Sequence, residues 1–174
     1  MEDESPAFPG YDTVARELGS LNIEFNHLEL FIARCIWELL DHFEDPNLGS
    51  LLTAELSFKA KLDLLGALSK YRIREDESRS SLDALVKKSA EAEAARNRHF
   101  HSVFVWFQNQ QLPIRIKVTA KREKSLYYQV ERIDTKLLHD LVRSVEGLTE
   151  QAQNILEELQ RLSWTKGDVP RGPD

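Results

Sequence analysis

One short segment of the 174-residue chain brings together side chains that could move a proton and stabilise an anion. Arg96 is followed directly by Asn97, and His101 comes four residues after Asn97. Imidazole titrates near neutral pH, so His101 could act as a general base. A guanidinium can hold two oxygens of a developing anion at once, which suits Arg96. The segment therefore predicts acid–base chemistry on an anionic substrate, with Asn97 orienting the imidazole or holding the anion.

A helix rich in small residues carries this segment. We predict that it starts near Ser80 and that its buried stripe begins with leucines and ends at Arg96. On such a helix Asn97 and His101 share a face, whereas Arg96 lies about 140° from His101 around the axis and must bend toward it. We expect three residues beside the stripe of the first helix to support Arg96. They are Glu29, Asn22 and Asn26.

Three further long helices are predicted from apolar residues that recur at intervals of three and four. The first follows a cap at Asp12 or Thr13 and ends before Pro46. The second is capped by Ser50 or Thr53 and runs to about Tyr71. The last follows a cap at Asp134 or Thr135 and has the most regular stripe in the chain. That stripe comprises Leu138, Leu141, Val145, Leu148, Ala152, Ile155, Leu159 and Leu162.

Between the third and last helices the pattern changes to one typical of β-strands. Three runs, 103–107, 114–118 and 126–130, are rich in β-branched and aromatic residues, and the last two alternate. Basic residues are frequent here, and Lys117, Lys121 and Arg122 could contact phosphates. The alternative is that these side chains are simply the solvated outer positions of a small sheet.

These patterns predict a mainly α fold, with four long helices in a bundle and a small three-stranded β-meander between helices three and four. We expect one domain over 12–164 with the β insertion at about 102–132, between flexible termini at 1–11 and 165–174. The chain has 41% hydrophobic residues and a net charge of −6. This composition supports a folded core and argues against a surface coated with nucleic acid.

The composition also restricts the kinds of site. Cys35 is the only cysteine, so no intrachain disulfide forms, and His27, His42 and His139 lie apart. We therefore expect no metal site and no cofactor. No run of 18 apolar residues occurs and the first residues are acidic, so we expect a cytoplasmic protein without a membrane span.

The order of Arg96, Asn97 and His101 resembles the R-x4-H motif of the HEPN superfamily. The helical layout over about 13–163 is similar too, with a long first helix, the motif closing the third, and a terminal helix. This resemblance implies metal-independent RNA cleavage at the interface of a homodimer, of the kind the family deploys in toxin–antitoxin and phage-defence systems. An antitoxin or another protein partner would follow from the same resemblance.

A homodimer is also suggested by a second apolar line on the first helix. Ile23, Leu30 and Trp37 recur at intervals of seven on another face, which calls for cover from a further helix or a second subunit.

The alternative function is a catalytically inactive HEPN-like helical dimer that binds RNA or a protein. Arg96 would then pair with a buried carboxylate such as Glu29, and His101 would cap the helix. The two hypotheses differ in accessibility, because an enzyme needs Arg96 and His101 partly open to solvent.

Overall fold

A computed structural model describes residues 10–40, 48–106, 113–121 and 125–161, and the side chains at 48, 119–121, 125 and 126 fall outside that description. This part of the chain is mainly α, with a small antiparallel sheet before the last helix, which confirms the predicted fold class. In chain order the elements are α1 (Tyr11–Leu40), α2 (Leu48–Ala54), α3 (Phe58–Arg72), α4 (Asp76–Phe100), β1 (Val103–Val105), β2 (Ile114–Lys121), β3 (Ser125–Arg132) and α5 (Thr135–Arg161). Within these ranges no helix is long and apolar enough to cross a membrane.

The described residues form two compact units. The first takes its residues from 1–27 and 89–147, and the second from 28–88 and 148–174. The first unit buries apolar side chains of α1, α4 and α5 at Val14, Leu21, Phe25, Ala92, Leu138, Val142 and Val145. The second buries Leu28, Ile32, Cys35, Ile36, Leu39, Leu62, Leu65, Leu82, Leu85, Ala152, Ile155 and Leu159, among others.

The predicted stripe of the last helix is largely confirmed. Leu141 is an exception, since it is half-buried while its neighbour Val142 is buried. Leu162 lies outside the described residues. At the start of this helix Asp134 accepts a hydrogen bond from the backbone N–H of Lys136 at 2.8 Å. Asp134 is therefore the cap, one of the two residues that the sequence offered.

The prediction of one continuous second helix is wrong, because the chain forms two helices with a break at residues 55–57. Ser57 is the cap of α3 and accepts a hydrogen bond from the N–H of Ala60 at 3.2 Å. Thr53 lies inside α2 and donates to the carbonyl oxygen of Gly49 instead. The predicted start of the third helix near Ser80 is also late, because α4 begins at Asp76.

Trp37 receives its cover from α2. Its indole N–H donates to the Thr53 hydroxyl at 2.7 Å, and its ring lies against Gly49. Of the three residues on the second line of the first helix, Trp37 is thus packed within the chain. Ile23 and Leu30 remain exposed.

The three strands form an antiparallel meander in the order β1-β2-β3. Paired residues of antiparallel strands project on the same side of the sheet, so the register defines two faces. We call the side with Phe104, Arg115, Lys117, Tyr127, Gln129 and Glu131 the Arg115 face, and the side with Val103, Ile114, Ile116, Val118, Tyr128, Val130 and Arg132 the Val130 face. Arg115 is buried, whereas Val103, Val118, Tyr128 and Val130 are exposed. The polar side of the ribbon therefore packs inward at Arg115.

Candidate functional site

Arg96 lies close to two aromatic rings in the first unit. Its guanidinium carbon is 4.7 Å from the centroid of Phe25 on α1 and 4.9 Å from that of Phe100 on α4. Ala92, one turn earlier on α4, is buried, which agrees with the small-residue face that the sequence predicts for this helix. The rings attract the cation through their negative faces and fix the plane of the guanidinium.

The hydrogen-bond partners of Arg96 are neutral. Its two terminal nitrogens donate to the amide oxygens of Asn97 and Asn22, each at 3.4 Å. Among the described residues no carboxylate forms a salt bridge with it, and its Nε is buried without a hydrogen-bond partner. Amide oxygens align the guanidinium but carry no charge, so no carboxylate of the described residues compensates the charge of Arg96.

The end of α4 is held by hydrogen bonds to one carbonyl oxygen. The oxygen of Arg98 accepts from the Ser102 hydroxyl at 2.7 Å and from Arg115 at 3.1 Å. Arg115 also donates to the Glu131 carboxylate across β2 and β3. A cation at the C-terminal end of a helix satisfies free carbonyls and complements the helix dipole. The sheet thus fixes the segment that carries the Arg96–His101 motif.

His101 follows directly after the last residue of α4 and is exposed to solvent. Its backbone N–H donates to the carbonyl oxygen of Asn97 at 3.2 Å, which extends the helical turn to His101. Asn97 and His101 are therefore related as the helical spacing predicts. Arg96 is half-buried and His101 open, so both have some access to solvent.

His99 has a different environment. It is half-buried, and its Nδ1 is buried without a hydrogen-bond partner. Burial lowers the pKa of His99 below its ordinary value, and the positive charges of Arg115 and Arg98 lower it further, while Glu131 opposes them. Burial and the neighbouring arginines thus favour the neutral form of the His99 ring.

The three residues predicted to support Arg96 have different environments in the structure. Asn22 contacts Arg96, but Asn26 is exposed. Glu29, which the sequence offers as a partner for Arg96, accepts a hydrogen bond from Lys61 at 2.5 Å. The Arg96 salt bridge expected for a purely structural role is thus not made within the described residues.

The predicted phosphate-binding residues are only partly described. Lys117 is half-buried on the Arg115 face. Lys121 ends β2, but its side chain lies outside the described part, as does Arg122 entirely. Arg115, which belonged to the same basic stretch in the sequence, is buried against Arg98 and Glu131 and does not face solvent.

Four residues of the site were missed from the sequence, namely Phe25, Phe100, Arg115 and Glu131. Phe25 is one of many buried apolar residues of α1, so nothing in the sequence distinguished it from them. Phe100 is four residues after Arg96, a spacing that places two side chains on one helical face. That spacing is the signal that could have identified it.

The chain matches no protein-family model, no curated protein and no solved structure. Within the ranges that the structure describes, no three His, Cys, Asp or Glu side chains are grouped so that they could hold a metal ion.

Proposed function

We propose that the protein is a metal-independent endoribonuclease of the HEPN type. The observation that carries the proposal is the state of Arg96. It is clamped by Phe25 and Phe100 and aligned by two amide oxygens, yet no carboxylate of the described chain neutralises it. A preorganised cation without a counterion, on the same short segment as an exposed histidine, suits a substrate that supplies the negative charge itself.

The proposed reaction uses the RNA 2′-hydroxyl as nucleophile. His101 takes the proton from this hydroxyl, and the 2′ oxygen attacks the adjacent phosphorus. Arg96 stabilises the additional negative charge of the phosphorane with its fixed N–H groups. The bond from phosphorus to the 5′ oxygen then breaks, and the leaving oxygen takes a proton from solvent. The products are a 2′,3′-cyclic phosphate and a 5′-hydroxyl.

Asn97 has a positioning role in this proposal. Its side-chain oxygen already accepts a hydrogen bond from Arg96, and its carbonyl oxygen holds the N–H of His101. It therefore connects the proposed phosphate-binding cation to the proposed base without itself transferring a proton. Loss of its side chain should misalign Arg96 and reduce the rate less than loss of Arg96 or His101.

The test is incubation of the purified protein with mixed single-stranded RNA in excess EDTA. We expect cleavage by the wild type, none by Arg96→Ala or His101→Ala, and an intermediate rate for Asn97→Ala. His99→Ala is the matched control, since it changes a histidine two residues away that has no proposed role in proton transfer. Activity that EDTA removes, or that survives in His101→Ala, would contradict the mechanism.

A second candidate is a catalytically inactive HEPN-like dimer that binds RNA or a protein. The observation in its favour is the packing of Arg96 against two rings with its Nε buried, because such contacts also suit a purely structural arginine. This candidate predicts that Arg96→Ala lowers the free energy of unfolding while the wild type cuts no RNA with or without divalent metal.

A further inference from the structure

The two faces of the β2–β3 ribbon differ in chemistry beyond the Arg115–Glu131 pair. On the Arg115 face the next pair in the direction of Lys121 is Lys117 with Gln129, and Tyr127 follows on β3. Tyr127 is 65% exposed. On the Val130 face the corresponding positions hold Val118, Tyr128 and Val130. Among the described side chains, the Arg115 face adds the amide of Gln129 to a cation and an exposed ring, whereas the Val130 face carries the exposed Tyr128 and Arg132 beside valines.

The Arg115 face borders the candidate site at the buried Arg115. Arg115 donates to the carbonyl oxygen of Arg98, which is three residues before His101. Successive side chains on one face of a strand are about 6.7 Å apart. Lys117 and Tyr127 therefore continue the same surface away from the end of α4, in steps comparable to the length of a side chain.

Charge favours an anionic ligand on this ribbon. Residues 115–132 contain six basic and two acidic residues, in a protein whose net charge is −6. Arg115 and Glu131 pair with each other, so their charges cancel. Besides Arg115, Lys117 is the basic residue on the Arg115 face whose side chain the structure describes. A phosphate chain leaving the candidate site would meet this lysine.

We propose that the Arg115 face binds single-stranded RNA next to the scissile phosphate, with Lys117 on a phosphate and Tyr127 stacked on a base. This inference rests on the proposed function for the identity of the nucleic acid. A tyrosine ring can stack only on a base that has left its neighbours, so the geometry selects single strands over duplexes. Gln129 lies between the two contacts; its amide nitrogen donates to Glu131, and its amide oxygen can accept a hydrogen bond from the edge of a base.

The sheet supplies its own controls for the test. Tyr127 and Tyr128 are adjacent, similarly exposed and on opposite faces, and Lys117 and Arg132 are likewise on opposite faces. The probe is a short, fluorescein-labelled single-stranded RNA with every ribose 2′-O-methylated, which cannot be cleaved through the 2′-hydroxyl. Binding is measured by fluorescence anisotropy at several salt concentrations.

We expect Tyr127→Ala to weaken binding of the probe about tenfold and Tyr127→Phe to retain it, because the ring and not the hydroxyl stacks. Lys117→Glu should weaken binding and reduce the salt dependence by about one phosphate contact. Tyr128→Ala and Arg132→Glu should bind like the wild type. Equal effects on both faces, or equal binding of a duplex of the same sequence, would overturn the proposal.

Failure of this inference can be distinguished from failure of the proposed function. If the wild type does not cut unmodified RNA but the two faces differ as expected in binding, the catalytic proposal fails and the binding surface stands. If the wild type cleaves RNA in EDTA but Tyr127→Ala and Tyr128→Ala have the same KM, the catalytic proposal stands and the binding surface is wrong. In an active enzyme we expect Tyr127→Ala to raise KM with little change in kcat.

Discussion

Arg115 donates a hydrogen bond from β2 to the backbone carbonyl oxygen of Arg98, 3.1 Å away, near the end of α4. The arginine is 3% exposed, and its second contact is the carboxylate of Glu131. This clamp joins the small sheet to the helix that carries Arg96 and His101. Its loss should affect both the stability of the first unit and the placement of His101.

We predict that Arg115→Met lowers the free energy of unfolding by about 2 kcal/mol, because the Arg98 carbonyl and the Glu131 carboxylate each lose the donor that the buried guanidinium supplies. Urea unfolding followed by circular dichroism measures the change. Arg132→Met is the control, since Arg132 is exposed on the opposite face and should stay within about 0.5 kcal/mol of the wild type. Equal losses in the two variants would show that the clamp adds no stability.

The inward face of the sheet illustrates what the sequence could and could not predict. The alternation of Ile114, Arg115, Ile116 and Lys117 correctly predicts a strand, and a meander follows from three such runs. Alternation alone does not say which face is inward, and hydrophobicity favours the isoleucines. The structure buries Arg115 because two specific acceptors, at Arg98 and Glu131, lie opposite it. Those acceptors come from other elements, so a pattern within one strand cannot reveal them.

The break between α2 and α3 shows a similar limit. The apolar stripe from Leu51 to Leu65 continues through the break in helical register, so the predicted helix ran across it. Ser57, a good cap residue directly before a helical run, was the available local signal. The motif segment was easier to locate, because small residues and leucines on α4 placed Arg96 on its packed side. The rings that flank Arg96 needed the three-dimensional contact with α1.

A second prediction concerns Gly49, where α2 packs on Trp37. A Cβ at this position would lie 2.7 Å from Cγ and 2.8 Å from Cδ1 of the indole. Gly49→Ala should therefore lower the free energy of unfolding by about 1–3 kcal/mol through overpacking. Thermal or urea unfolding would measure it, together with the fluorescence of the tryptophans.

Gly66→Ala is the matched control for Gly49→Ala. Gly66 lies in α3, and a Cβ there would meet nothing within 4 Å. This substitution should raise the free energy of unfolding by roughly 0.5–1 kcal/mol, because alanine favours the helix. A loss at Gly66, or no loss at Gly49, would contradict the packing described for Trp37.

A third prediction follows from the lowered pKa of His99. At pH values between the lowered pKa of His99 in the folded protein and its ordinary pKa, the unfolded chain binds one more proton than the folded chain does. Protonation therefore favours unfolding. The stability contributed by neutral His99 is present above about pH 6.5 and is lost as the pH falls through its folded pKa. The melting temperature of His99→Gln should therefore fall less than that of the wild type when the pH is lowered from 7.5 to 5. Parallel curves would show that His99 does not contribute.

A fourth prediction is that the protein is a homodimer in solution, as the proposed enzyme requires. Ile23 and Leu30 are 55% and 49% exposed on α1 after Trp37 has been covered by α2. Light scattering at micromolar concentration should give twice the monomer mass of 20.1 kDa. Ile23→Glu and Leu30→Glu should each weaken the dimer, whereas Leu137→Glu, at a leucine of α5 that is 67% exposed, should not. A monomer at these concentrations would count against both the dimer and the proposed catalysis.

The central claim is that Arg96 and His101 cleave RNA by activating its own 2′-hydroxyl. The most direct measurement is single-turnover incubation, in EDTA, of wild-type protein with a 5′-labelled RNA and with the same RNA 2′-O-methylated throughout, with the product ends identified by mass spectrometry. The account predicts a 2′,3′-cyclic phosphate from the unmodified RNA, no product from the methylated RNA, and no product from either RNA with His101→Ala. Cleavage of the methylated RNA, a product without the cyclic phosphate, or full activity in His101→Ala would contradict it.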